Sequence, residues 1–355
     1  MARPKKKVGL RELADCAGVS LATASRVLNG NNRVDPAIQS RVLAAAAKLD
    51  VDLIQRDKTK ALAFLLCNRS MAHAFHSRIL IGAEEFCAEN GCDMIFLSFN
   101  YSPQTPWKNL QLPNVVQRRD VVRAVILAGN NSSNLIQLLE HKGIAMVALG
   151  NNLTGQPQNL KHDIVFSGDI QGAYDITRHL IGLGHRHICY IGNLQLPWFS
   201  RCHAGYTRAM QEAGLKPRQI AARSENDKEI GYLGTKELLA TDEPVTAIFA
   251  GNDPSAHGVY RALRDSGLRI PEDISVAGCN DMVGPWLHPG LTTIREFPEQ
   301  LGKCMVELLL KRIANPTAPP QSVTVPTELI KRDSCRALPQ AGDADHMGLP
   351  AMNLV

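Results

Sequence analysis

From Ala61 onward, short apolar runs alternate with amphipathic stretches of helix length. The runs are ALAFLLC (61–67), DMIFLSF (93–99), RAVILA (123–128), AMVALG (145–150), HICYIG (187–192), VTAIFA (245–250) and ISVAGC (274–279). Their apolar residues are continuous rather than alternating, which marks strands covered on both faces. Between them, 77–90, 171–182, 201–213, 254–265 and 298–313 read as helices. Such alternation predicts an α/β core of doubly wound parallel sheets. Seven runs exceed the needs of one small sheet, so two similar subdomains are expected. No close internal repeat is visible.

The first 49 residues carry a different pattern, that of a small all-α head. One helix covers Leu10–Ala17, and a second opens after Ser20, a good N-cap, and ends near Asn29–Gly30. A third starts at VDPAIQSRVLAAAAKL, with Asp35 as N-cap and Pro36 in the first helical position. Leu10, Leu13, Val19, Val27, Val42 and Leu43 are the candidate core. Residues 50–60, DVDLIQRDKTK, read as a linker. The tail, 336–355, is interrupted by Pro and Gly and lacks the heptads of a tetramerisation helix, so disorder is expected there.

Charge sharpens this division. The chain of 355 residues carries +5 overall, but residues 1–60 hold twelve Lys/Arg and six Asp/Glu, which leaves the remainder at −1. A basic head on a near-neutral body fits a polyanion, although short basic N-termini are often merely solvated. The nine cysteines are scattered with no C-x-x-C pair, which argues against a disulfide framework or zinc module and for a reducing compartment. No apolar run is long enough to cross a bilayer, and the basic N-terminus is not followed by a signal-peptide core. The expected location is cytoplasmic.

The stretch GVSLATASRVLNG (18–30) concentrates candidate chemistry. Ala17-Gly18-Val19 forms a tight turn, and the following helix presents hydroxyls and one arginine. Thr23, Ser25 and Asn29 suit phosphate contacts, which set register without reading sequence. Arg26 has the reach to bind guanine O6 and N7 with two hydrogen bonds. A plain solvated helix with capping hydroxyls is the competing reading.

In the core, nearly every strand ends at an asparagine: Asn68, Asn100, Asn130, Asn151, Asn193, Asn252 and Asn280. Ligands of open α/β sheets bind beyond the strand carboxyl ends, and an amide offers both donor and acceptor there. Each asparagine alone is as well explained as a turn residue. The series, with Asp253 and Asp281 beside two of its members, points to a polar cleft. His73 and Phe75 follow the first strand, where an aromatic ring suits a sugar face; ordinary helix-start packing is the alternative. His185 and His187 lack metal-ligand partners at useful spacing. No metal, cofactor or catalytic triad is expected.

LRELADCAGVSLATASRVLNG followed by VDPAIQSRVLAAAAKL resembles the DNA-binding head of the lactose-repressor (LacI/GalR) family. GHRHICYIG, AGYTRAM, TAIFAGNDPSAHGVYRALRDSGLRIPEDISVAGCND, LTTIREFPEQLG and PTELIKRDSC are similar to its effector domain, so the resemblance spans residues 8–335. It implies a dimeric, operator-binding regulator, in the usual case a repressor, with a periplasmic-binding-protein-like core that senses a small polar molecule, commonly a sugar. It implies two discontinuous subdomains, at about 61–160 with 292–325 and about 161–291 with 326–335. It places Leu21 and Ala22 at the first recognition positions and Arg26 at the guanine-reading one. Asn252, Asp253 and Asp281 match its hydroxyl ligands. Where the family carries an arginine, this chain has Cys202, and Arg201, one position earlier, is expected to reach the cleft from a slightly different register. Where the family carries the hinge Pro-Asn-x-x-Ala-Arg-x-Leu, the linker is shorter and lacks that motif with its leucine wedge; the alternative is a hinge of its own with Leu53 or Ile54 as the wedge. The other readings are a solute-binding or sensor protein without DNA activity and an α/β enzyme using Asp253 or Asp281. The helix-turn-helix opposes the first, and the lack of a nucleophile–base pattern opposes the second.

Overall fold

The computed structural model describes residues 10–28, 34–49, 61–71, 73–154, 161–224 and 226–339. Asn29, the linker 50–60 and the tail from 340 lie outside the described residues.

Three helices build the head: α1 (Leu10–Ala17), α2 (Leu21–Leu28) and α3 (Pro36–Lys48). Ser20 Oγ accepts from the Thr23 amide at 3.1 Å, and Asp35 Oδ1 from the Ala37 amide at 2.8 Å, so both expected caps form. Leu13, Ala17, Val27, Val42, Ala45 and Ala46 make the core, with Val19, Val34, Ile38 and Leu49 at its margin. Leu43, expected inside, is 47% exposed. On α3 the inward stripe runs Val42–Ala45–Ala46–Leu49, and position 43 lies outside it. Leu10 is half-buried and stands outside the cluster.

The core elements follow in chain order: β1 (Ala61–Cys67), α4 (Ala74–Glu89), β2 (Met94–Phe99), α5 (Asn114–Gln117), β3 (Val122–Gly129), β4 (Asn131–Ser132), α6 (Ser133–His141), β5 (Ala145–Leu149), β6 (Leu153–Thr154) and β7 (Asp163–Ser167). Then come α7 (Asp169–Gly182), β8 (Ile188–Ile191), α8 (Pro197–Glu212), β9 (Arg218–Ile220), α9 (Asp227–Leu239), β10 (Ala247–Ala250), α10 (Asp253–Asp265) and β11 (Ser275–Asn280). The last are β12 (Thr292–Arg295), α11 (Pro298–Ala314), β13 (Ser322–Val325) and β14 (Glu328–Ile330).

They form two six-stranded sheets, in the orders β13-β7-β5-β3-β1-β2 and β14-β12-β11-β10-β8-β9. Every pairing within them is parallel except β12–β14. The apolar runs of the sequence are the central strands, and β1 is buried along its whole length. Each sheet has its own apolar layers, with α4 and α11 packed over the first and α7 and α8 over the second.

The crossings between subdomains fall elsewhere than at 161 and 292. β7 pairs with β5, Val147 opposite Asp163, and so belongs to the first sheet. β12 pairs with β11, Ala277 opposite Thr292, and so belongs to the second. The chain therefore crosses at Gly168, at Glu296–Phe297 and again between β13 and β14. Both strands are short and polar at one end, which hides them from a reading based on apolar runs. The start of the presumed tail is also ordered: the Leu338 amide donates to Leu183 O at 2.8 Å, and His185 Nε2 meets Arg336 O at 3.1 Å. His185 is thus a strap for residues 336–339 rather than a metal ligand.

Candidate functional site

The head exposes one face of α2. Gly18 adopts φ +62°, a backbone that glycine takes without strain, and lets the chain turn sharply between α1 and α2. Arg41 of α3 reaches across and donates to Ala17 O at 3.0 Å and Gly18 O at 2.8 Å. This clasp fixes α3 to the turn, and nothing in local sequence pattern signals it. Leu21, Ala22 and Arg26 are exposed together on α2, while Ala24 and Val27 face the core. Thr23 Oγ1 lies 2.8 Å from Ser20 Oγ, so its hydroxyl closes the cap. Ser25 is half-buried.

The second site is a cleft of about 470 Å³, mouth included, between the carboxyl edges of the two sheets. Arg69, His73, Phe75, His76, Asn151 and Asn152 line it from the first subdomain. Trp198, Cys202, Gly251, Asn252, Cys279 and Asn280 line it from the second. Asp169 and Glu296 complete the lining, each beside a chain crossing. Open α/β sheets bind ligands at this edge.

Contacts already span the cleft. The Arg69 guanidinium stacks 4.2 Å from the Trp198 ring centroid. His73 Nε2 lies 3.8 Å from Asp227 Oδ2, and that oxygen accepts from Asn252 Nδ2 at 2.9 Å. Several buried polar atoms here have no hydrogen-bond partner among the described residues: Arg69 Nε, His73 Nδ1, His76 Nδ1 and Asp227 Oδ1. Each such atom costs about 1–3 kcal/mol while it stays unsatisfied. Burial, opposed by Asp227, lowers the Arg69 pKa from its usual value. Burial, then the charges of His73 and Arg69, hold the His76 imidazole neutral. Burial first, and the charge of Asp169 second, push the Glu296 carboxyl up to about 7. Cys202 and Cys279 are buried with their Sγ atoms 3.7 Å apart.

The structure divides the expected ligands into two groups. His73, Phe75 and Asn252 line the cleft, Asn252 also accepting from the Ser255 amide at 2.9 Å as the cap of α10. Asn130, Arg201, Asp253 and Asp281 do not line it. Asn130 Oδ1 accepts from Thr154 Oγ1 at 3.3 Å. Arg201 clamps Asp169 and stacks 4.8 Å from the Phe166 ring. Asp253 is fully buried and accepts from Thr293 Oγ1 at 2.6 Å and the Gly284 amide at 3.1 Å. Burial raises its pKa to about 7. Asp281, at φ +52°, pairs with Arg295 at 2.9 Å and Arg332 at 2.8 Å. These four side chains are engaged by other protein groups rather than presented to the cleft. Arg69, Trp198, Asp169, Asp227 and Glu296 were not legible as site residues. Only the position of Arg69 directly after a strand-ending asparagine offered a signal.

Residues 9–50 match the model for bacterial regulatory proteins of the lacI family, and residues 177–335 match the periplasmic binding protein-like domain. The HTH-type transcriptional repressor PurR of Escherichia fergusonii is 30% identical over 339 residues, spanning 92% of this chain and 96% of that protein. The chain belongs to the lacI family. This lacI-family protein is a DNA-binding transcriptional repressor regulated by an effector. The ribose operon repressor of Haemophilus influenzae is 29% identical over 340 residues, spanning 93% of this chain and 99% of the relative. Among solved structures, the complex of the transcriptional regulator CelR with cellobiose is 27% identical with a TM-score of 0.66, and covers 92% of this chain and 99% of its own. The lacI-family relatives are repressors rather than enzymes. Among the described residues no helix is long and apolar enough to cross a membrane.

Proposed function

We propose that a small, polar, sugar-like effector binds between the two subdomains and sets operator affinity by changing how they close. The carrying observation is the group of buried polar atoms without partners, Arg69 Nε, His73 Nδ1, His76 Nδ1 and Asp227 Oδ1, drawn from both sides of the cleft. A ligand that pairs with them favours one degree of closure over the others, and this differential affinity is what shifts a conformational equilibrium. Phe75 and Trp198 supply apolar faces, and Asn151, Asn252 and Asn280 supply amides. The cellobiose complex of CelR and the ribose operon repressor favour a sugar-like class.

In the head, residues 1–49, we assign base reading to Leu21, Ala22 and Arg26, and phosphate contact to Thr23, Ser25 and Asn29. Asn29 lies outside the described residues. The core, 61–335, is the effector-binding part and the site of homodimerisation, a reading supported by exposed Ile81, Phe96 and Trp286. The protein acts in the cytoplasm as a binding protein and performs no catalysis, a reading that rests on the family. Thermal-shift screening of a sugar and nucleoside library tests the effector class. Stabilisation by sugars that is lost in Arg69→Ala supports it; stabilisation by nucleosides alone removes the sugar-like reading.

A further inference from the structure

A second concavity opens on the opposite edge of the first sheet. It is lined by residues at the amino ends of the strands: Arg123 in β3, Ala145 and Met146 in β5, His162 before β7 and Pro320 before β13. These strands run parallel to β1, so all begin at the edge where the chain enters β1 from the linker. The Ala61 amide donates to Val121 O at 2.9 Å, which places the start of β1 beside the residue two before Arg123. The cavity measures about 1420 Å³, mouth included.

Its chemistry is cationic. Arg119, Arg123, Lys161 and Arg312 line it, against the single carboxylate of Glu140. Arg312 is neutralised by Asp163, to which it donates at 2.8 and 2.9 Å. Arg119 donates to the carbonyls of Lys142 and Gly143 and keeps its charge. Arg123 and Lys161 are exposed and make no hydrogen bond or ion pair among the described residues. Glu140 is committed to His162, with Oε1 3.3 Å from Nδ1. His162 is only 7% exposed, yet its Nε2 is buried without a hydrogen-bond partner. Two exposed cations without partners among the described residues, Arg123 and Lys161, with Arg119 beside them, describe a site for an oxyanion.

We propose that this pocket binds backbone phosphate of the DNA flanking the operator half-sites, so that the core itself holds DNA. The inference rests on the DNA-binding reading of the head. Electrostatic contacts from the core edge would add to those of the head. Phosphate contacts of this kind carry no sequence information and show as salt dependence.

The test uses the full chain and a duplex selected from random DNA. One version is trimmed to the bound half-sites, and another carries a further helical turn on each side. Affinities are measured across a salt series for the wild type and for the Arg123→Ala, Lys161→Ala double variant, whose exposed positions spare the fold. The wild type is expected to favour the flanked duplex about tenfold. The variant is expected to lose that preference, with a log–log salt slope shallower by about 1–2, at about 0.9 per phosphate. Equal slopes for both proteins on the flanked duplex overturn the proposal. In parallel, inorganic pyrophosphate is titrated into DNA-free protein. Pyrophosphate binding lost in the variant, with unchanged slopes on flanked DNA, reassigns the pocket to a small phosphorylated ligand and also overturns it. A chain that binds neither duplex loses the DNA-binding reading and the proposal together; one that binds both alike loses only the proposal.

Discussion

Arg201 holds Asp169 with two parallel hydrogen bonds, Nη2 to Oδ1 at 2.7 Å and Nε to Oδ2 at 2.9 Å. Asp169 is 2% exposed and begins α7 directly after the chain crosses between subdomains. The pair therefore ties α8 to a crossing point at the edge of the cleft. Removing Arg201 leaves a buried carboxylate without its partner, which costs about 3–5 kcal/mol. Arg201→Ala is expected to lower the denaturation midpoint strongly. The Arg201→Met, Asp169→Leu double variant is expected to recover much of the loss, since no charge is then stranded. A double variant as unstable as the single one would show that the pair does more than compensate charge.

Arg26 lies on the exposed face of α2 with Leu21 and Ala22. Arg26→Ala is expected to cost about 1–3 kcal/mol of discrimination between a selected operator and random DNA. Competition gel shifts measure this directly. Equal losses on both DNAs would make Arg26 a phosphate contact.

Arg69 and Asp281 separate binding from bracing. Arg69 lines the cleft with an unsatisfied Nε, whereas Asp281 lies outside it between Arg295 and Arg332. Arg69→Ala is expected to weaken a screened effector by about 1–3 kcal/mol per lost bond. Asp281→Ala is expected to act first on stability, through two arginines left without their acid. Calorimetry beside thermal melts distinguishes the two effects. A selective loss of effector affinity in Asp281→Ala would return that residue to the site.

Glu296 ties stability to pH. Its carboxyl is raised from 4.5 to about 7 by burial and by Asp169, so the folded protein holds the proton more tightly than the unfolded chain. The stabilisation is complete below 4.5 and is lost as pH rises through about 7. Asp253 acts in the same direction, from 3.8 to about 7. Melting temperature is expected to fall across this window, and Glu296→Gln is expected to flatten part of the fall. Superimposable pH profiles for wild type and variant would remove Glu296 from the account.

Local pattern made much of the chain legible. The caps at Ser20 and Asp35, the turn at Gly18 and the continuous apolar runs of β1, β3, β5, β8, β10 and β11 all depend on residues close in sequence. Such features are set by backbone geometry and by the periodicity of burial. The series of strand-ending asparagines pointed to the edge where the cleft lies, since each strand of a parallel sheet ends on one side. The short strands β7, β12, β13 and β14 escaped because their residues are too few and too polar to form an apolar run; long-range pairing defines them.

What the sequence by itself determined was the layering, the helix-turn-helix head and the polar edge where the strands end. The tertiary structure alone decided which polar residues at that edge face the cleft. Asn68 and Asn280 turn the chain in left-handed conformation, Asn252 caps a helix and lines the cleft, and Asp253 is sealed in the wall. Arg69 meets Trp198, and His73 meets Asp227, across more than a hundred residues and between two discontinuous subdomains. Whether a charged group binds a ligand or braces a wall depends on the partners that folding brings to it. Those partners are set by the packing of distant elements, which residue type and spacing do not encode locally.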